Sequence, residues 1–255
     1  MQAKKTKNDI SDRELLRYNR HIVLPEIDIN GQEALSTARV IIAGLGGLGC
    51  PAATYLAASG TGTIYLIDHD SVSLSNLNRQ VLFTEDDITK KKVVAAKQRL
   101  LDLNSDIDVK ISCEEINENF NIETFAGYDV IIDCTDNFET RSLINDISIK
   151  LKIPLISGAA LKFEGQVAIF RNDMDDMPCY RCLYSDLPSI ASSCVESGIL
   201  GSITGFVGTA LATECIKLIC KFGEIYQSQV FIIDLKNNNF KKVDINKDEK
   251  CEYCK

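Results

Sequence analysis

Gly44-x-Gly46-x-x-Gly49 follows the apolar run Val40–Ala43 and opens an alanine-rich stretch. Glycines at this spacing let a strand turn tightly into a helix and let the backbone approach a phosphate. The phosphate then faces the helix N-terminus. Asp68 closes the next β-rich run, TIYLID, where an acid would accept hydrogen bonds from ribose hydroxyls. On these residues alone a nicotinamide or flavin dinucleotide is as good a reading as any other nucleotide.

The following segment shifts that balance toward a triphosphate. Residues 71–80 read SVSLSNLNRQ, a polar loop, and Lys92 stands at the start of a helical pattern. Ser75 and Asn76 are candidate nucleotide contacts. Arg79 and Lys92 are candidates for the β and γ phosphates of ATP, because cations stabilise the charge that develops on a leaving pyrophosphate. Lys90 and Lys91 read instead as solvated surface cations. Further on, Asp133-Cys134-Thr135-Asp136-Asn137 ends the continuous apolar run YDVIID. The carboxyl ends of parallel strands form the ligand crevice of open α/β sheets, and an acid there can hold Mg²⁺ against phosphates. Asp133 fits a strand-end role. Asp136, at the edge of the next helix, is the better ligand, with Asn137 beside it.

Ten cysteines and no export signal point to the cytosol, where metal binding or catalysis outranks disulfides. Cys179-x-x-Cys182 and Cys251-x-x-Cys254 together supply four thiolates, a set that suits tetrahedral Zn²⁺ with no open ligand position, hence a structural site. The pairs are too far apart in sequence for a local ribbon, so the metal would clip the C-terminus onto the body. Two reduced pairs or a redox dithiol are the alternatives. Cys194, in SSCVESG, is either a nucleophile or sulfur relay or a small buried hydrophobe. Cys50, Cys113, Cys134, Cys215 and Cys220 fall in predicted core elements and read as packing. Neither histidine is placed like a base: His21 follows the N-terminal helix, and His69 sits between two acids.

Strands that alternate with helices position these groups. Runs near residues 40–43, 63–68, 109–113, 128–133 and 153–159 read as strands, with helical spacing after 49, over 92–103 and over 137–151. That rhythm predicts an α/β fold, a Rossmann-like three-layer sheet that is mostly parallel in its N-terminal part. Ser11 and Glu14 form a capping box for a helix over 11–22. After Gly165 the rhythm breaks into strands QVAIF and QVFIID around a long helix near 203–221. No linker marks a second domain, so residues 1–255 read as one domain, with 38–160 as the nucleotide-binding part and 161–255 as a zinc-stapled C-terminal part.

The chain has 255 residues, 45% hydrophobic and 25% charged, with a formal net charge of -8. That length buries a substantial core. The charge disfavours nucleic acid and anionic membranes as partners, so an anionic ligand must be met by local cations or backbone amides. Residues 199–220 are apolar enough to span a membrane. Glu214 and Lys217 would each cost about 2.5–3.5 kcal/mol near a bilayer centre, and a buried helix is the better reading.

RYNRHIVLPEIDINGQEAL, GLGGLG, SVSLSNLNRQ, DCTDN, PLISGAA, CYRCL and CEYC occur in this order. Together they resemble the MoeB/ThiF family, relatives of the ubiquitin-activating enzyme, from about Ser11 to Cys254. The resemblance implies a homodimeric adenylyltransferase that binds ATP and Mg²⁺ and admits the Gly-Gly tail of a small ubiquitin-like sulfur carrier. The tail carboxylate attacks the α-phosphate, releasing pyrophosphate. Residues matching the family's site are Gly47, Asp68, Asn76, Arg79, Lys92 and Asp136, with Arg20 expected to reach in from the partner subunit. The carrier would be MoaD-like, for molybdopterin, or ThiS-like, for thiamine. Sulfur would come from a separate protein, a cysteine desulfurase or a rhodanese. An NAD-dependent oxidoreductase and a non-catalytic half of an activating heterodimer are the competing readings.

Overall fold

A computed structural model of the chain describes residues 10–184, 198–225 and 227–254. Its strands are β1 (Arg39–Ala43), β2 (Thr63–Ile67), β3 (Asp108–Ser112), β4 (Val130–Asp133), β5 (Leu155–Leu161), β6 (Glu164–Phe170), β7 (Gln229–Asp234) and β8 (Asn239–Asp244). The helices are α1 (Asp12–Arg17), α2 (Asn19–Ile22), α3 (Asp28–Thr37), α4 (Gly49–Ala58), α5 (Lys92–Leu103), α6 (Phe138–Leu151), α7 (Tyr180–Leu183) and α8 (Gly201–Cys220). All strands join one sheet in the order β3-β2-β1-β4-β5-β6-β7-β8.

The first five strands of that order are parallel, with β1 central between β2 and β4. The remaining strands continue antiparallel through the short β5–β6 and β7–β8 hairpins. The parallel strands are buried on both faces, so they read as apolar runs without alternation. Val40, Ile42, Ile64 and Leu66 point into a core shared with Leu56, Leu100, Val207 and Leu211 of α4, α5 and α8. Ile41, Ala43, Ile67 and Ile131 point the other way, against Phe125 and against Ile144 and Ile147 of α6.

The N-terminal capping box forms as the sequence predicts: Ser11 N–H donates to Glu14 Oε2 at 3.0 Å and Glu14 N–H to Ser11 Oγ at 3.3 Å. The helix it caps breaks at Tyr18 into two short pieces. Helix α3 and strand β8 carry no clear signal in the sequence. Gly31 interrupts α3, yet a Cβ there would stand 3.0 Å from Ile27 Cγ2 and 3.4 Å from Cys220 Sγ, so close packing on α8 requires glycine. Strand β8 is an edge strand whose residues are all exposed, and it carries Lys241 and Lys242, which discourage further strand pairing.

Helix α8 is long and apolar enough to cross a membrane by length and composition. Here it packs along α4, α3, β5 and β6, as the reading of a buried helix expects. Gly208 brings it close to α4: a Cβ would meet Leu48 O at 2.3 Å and Pro51 Cγ at 2.4 Å. Its Glu214 is buried and bonded to Lys217 at 2.7 Å.

Candidate functional site

A crevice of about 740 Å³ opens at the carboxyl ends of β1, β2 and β4. Gly44, Gly46, Gly47, Asp68, Asn76, Arg79, Lys92, Asp136 and Asn137 all line it, so nearly every predicted nucleotide contact meets there. The glycines divide the labour. Gly44 has φ +88°, a left-handed conformation that favours glycine. A Cβ on Gly49 would stand 2.0 Å from Gly44 O, so that residue allows the turn to close on itself. A Cβ on Gly47 would stand 2.8 Å from Thr204, so the loop packs on the start of α8. Gly46 faces nearly open space, with only Gln80 Nε2 within reach at 3.9 Å. The first backbone N–H groups of α4 have no intrahelical partners, and they lie at this edge of the crevice.

Asp68 is held by backbone on both oxygens: Leu45 N–H donates to Oδ2 at 2.6 Å and Asp70 N–H to Oδ1 at 2.8 Å. Lys92 opens α5 and is buried, with its Nζ 2.7 Å from Asp70 Oδ2 and 3.9 Å from Asp68 Oδ2. Asp70, which the sequence reading left unassigned, is thus the lysine's direct counter-ion. Partial burial works to raise its pKa, but the Lys92 hydrogen bond and charge prevail and hold it below the ordinary carboxylate value. Lys90 and Lys91 are exposed, bonded to Asp87 and to the His69 carbonyl. His69 lines the crevice but contacts Asp70 at 3.4 Å.

Arg79 is tethered to its own loop, donating to Ser75 O at 3.0 Å and Asn78 Oδ1 at 3.1 Å. Ser75 supplies that carbonyl, while its hydroxyl pairs with Ser73 at 2.9 Å; it is not among the crevice-lining residues. Asp133 has the strand-end role expected of it. It is fully buried and accepts from Thr135 N–H at 2.9 Å, Thr135 Oγ1 at 2.7 Å and Ser157 Oγ at 3.0 Å. Asn137 caps α6 through Thr140 N–H at 2.8 Å. Asp136, between these two anchored residues, is exposed to the crevice with no hydrogen bond or ion pair among the described residues.

Arg141 lies beneath this loop, and nothing in the sequence marks it beyond its type. Its guanidinium donates to Thr135 O and, at 2.9 Å, to Gly158 O. Burial works to lower its pKa, but the charge of Asp133 outweighs that and raises it. A permanently charged group therefore fixes the backbone that presents Asp136.

The four paired cysteines converge. Their Sγ atoms all lie within 4.8 Å of one another, with contacts of 3.9 Å (Cys179–Cys182), 3.8 Å (Cys179–Cys251) and 3.4 Å (Cys182–Cys254). A tetrahedron with metal–sulfur bonds of about 2.3 Å has edges of about 3.8 Å, so this donor set fits a zinc ion. Arg181, between the first pair, grips Asp146 at 2.7 Å and stacks 3.9 Å over Tyr253, between the second.

The other cysteines diverge in part from the packing reading. Cys50, Cys134 and Cys215 are buried, and burial raises the Cys50 thiol to about 12. Cys220 is half-buried against Gly31 O. Cys113 is exposed, because β3 ends at Ser112 and leaves it outside the sheet. Cys194 lies outside the described residues. Arg20 is exposed on α2 and does not line the crevice of its own chain.

Comparisons with known proteins agree with this geometry. The chain is 39% identical over 246 residues to the molybdopterin-synthase adenylyltransferase of Salmonella typhimurium, covering 96% of this chain and 98% of that one. It is 37% identical over 250 residues to the adenylyltransferase and sulfurtransferase MOCS3 of Aedes aegypti, covering 97% of this chain but 57% of that longer protein. The crystal structure of Escherichia coli MccB with succinimide superimposes with a TM-score of 0.83 at 25% identity, over 94% of this chain and 74% of that one. The ThiF family model matches residues 18–253, and the chain belongs to the ThiF family.

Proposed function

We propose that this chain uses ATP to adenylylate the C-terminal carboxylate of a small ubiquitin-like sulfur-carrier protein. The observation that carries the reading is one crevice joining the glycine turn, Arg79, Lys92 and the unpartnered Asp136. An oxidoreductase binding a dinucleotide needs none of the last three. The name of the Salmonella relative, a molybdopterin-synthase adenylyltransferase, favours a MoaD-like carrier over a ThiS-like one.

In the reaction a carboxylate oxygen of the carrier attacks the α-phosphorus. The bond from that phosphorus to the bridging oxygen breaks, and pyrophosphate leaves with the electron pair. Both reactants are anionic, so repulsion must be screened. Lys92 and Arg79 meet the phosphates, and Asp68 takes the ribose. Asp136 has the exposed, unshared carboxylate that Mg²⁺ requires; the ion would add positive charge beside the phosphates. The test is exchange of labelled pyrophosphate into ATP with MoaD-like and ThiS-like carriers supplied separately. Exchange that proceeds equally without any carrier would overturn the substrate assignment.

The active form in this reading is a homodimer completed by Arg20 of the other subunit. It works in the cytosol, and the sulfur donor is a separate cysteine desulfurase or rhodanese. Zinc occupies the four-cysteine cluster, where it ties the segment carrying Cys251 and Cys254 to α7. One zinc per chain is expected by metal analysis, and Cys251→Ser should lower the melting temperature more than it slows exchange. The reason for that split is local. Tyr180, the crevice-lining residue between the first two cysteines, is also anchored by its N–H to buried Asn145 Oδ1 at 3.0 Å. Protein purified without chelators and free of zinc would refute the metal assignment.

A further inference from the structure

Arg181 and Tyr253 hold equivalent places in the two cysteine pairs: Arg181 directly precedes Cys182, and Tyr253 directly precedes Cys254. The guanidinium lies over the tyrosine ring, 3.9 Å from its centroid. The two cysteines that follow bring their sulfurs to 3.4 Å, closer than the 3.8 Å of Cys179–Cys251 and the 3.9 Å of Cys179–Cys182. The stack therefore stands beside the place where the two pairs meet.

One end of this contact is rigid. Arg181 donates from Nε at 2.9 Å and from Nη2 at 2.7 Å to the two oxygens of Asp146. That two-point grip fixes the plane of the guanidinium and leaves its face free to stack. Asp146 belongs to α6, which the buried Ile144 and Ile147 hold in the core. Its neighbour Asn145 is fully buried and accepts from Tyr180 N–H at 3.0 Å. The first cysteine pair is thus seated on α6 by protein contacts alone. The other end is looser. Beyond Asp244 the described chain forms no helix or strand. Ile245 is buried at its start, but Lys247 pairs at 3.3 Å with an Asp176 that is 98% exposed, a contact that solvent screens. Cys251 and Cys254 need a firmer hold than this to face Cys179 and Cys182, and Tyr253 on Arg181 stands directly between the two segments.

We propose that Arg181 and Tyr253 are positioning residues of the metal site, whose stack sets the second cysteine pair against the first so that four thiolates are gathered before the ion binds. This rests on the zinc reading given above. Chain that is ordered in advance leaves less conformational freedom to be lost on binding, and groups outside the ligand shell orient the ligands themselves.

The test measures zinc affinity of the full chain by competition with a chromophoric chelator. The proteins compared are wild type, Tyr253→Phe, Tyr253→Leu, Arg181→Met and the double variant carrying both Tyr253→Leu and Arg181→Met. Tyr253→Phe keeps the ring and should bind zinc as wild type does. Tyr253→Leu should bind about 10-fold more weakly, the lower end of the scale for removing an outer-shell group. Arg181→Met should bind at least as weakly, since it also releases Asp146. The double variant should match Arg181→Met, because both substitutions break the same stack. Unchanged affinity in Tyr253→Leu, a Phe variant as weak as the Leu variant, losses that multiply in the double variant, or unfolding of Tyr253→Leu would each overturn the role of the stack alone. No zinc bound by the wild type would overturn the zinc reading and this role with it.

Discussion

Asp136→Ala is expected to slow carrier-dependent exchange of pyrophosphate into ATP by about 10²-fold or more, the scale for removing one group that stabilises charge in a polar transition state. The fold should not notice the change. Thr135, on one side, is fixed by buried Asp133, and Asn137, on the other, caps α6. Arg141 holds the loop from below through Thr135 O and Gly158 O. Asp136 itself bonds to nothing among the described residues, so its removal breaks no contact and the melting temperature should stay within a degree or two. Asp136→Asn keeps the shape and loses the charge, and should fall nearly as far. Raising Mg²⁺ should restore part of the rate if the carboxylate acts by holding that ion. Full exchange activity in Asp136→Ala would remove Asp136 from the site, and lost activity with a large fall in melting temperature would make its role structural.

The contrast between Asp133 and Asp136 shows how far the sequence could be read. Position at the end of an apolar run identified Asp133 as belonging to the strand, and the crevice-facing role followed for its neighbour. The glycine turn was legible for a related reason: its steric demands act within a few residues, and GxGxxG writes them out. The CxxC pairs were legible because two such pairs supply the four thiolates of a closed tetrahedral metal site. What escaped depends on contacts between residues distant in sequence. Arg141 matters because β5 brings Gly158 O beside it, and Asp70 because the start of α5 lays Lys92 across it. Cys113 lies outside the core because β3 ends at Ser112, one residue short of the strand that the sequence predicts. Helix α3 and strand β8 were missed because Gly31 breaks a helical pattern and NFKKVD shows no buried face.

Arg20 poses the remaining question, because the crevice of one chain lacks it. It sits on the short α2, exposed, and close in sequence to large apolar side chains that are also exposed: Leu16 at 81%, Val23 at 72%, and Leu24 and Ile29 each at 48%. Contiguous exposed apolar surface is what an interaction face presents, and a two-fold dimer that buried this segment would carry Arg20 against the other subunit. An arginine there has the fixed charge and the forked donors to clasp phosphate. Arg20→Ala should then be about as inactive as Asp136→Ala while remaining folded. The decisive measurement is complementation under conditions that let subunits exchange. A mixed dimer of the two inactive variants has one site with both residues intact and one site with neither. Random mixing makes half the dimers mixed, each with one working site of two, so activity should return to roughly a quarter of wild type. Failure to recover activity, with subunit exchange shown independently, would mean that Arg20 serves its own chain or does not serve the site.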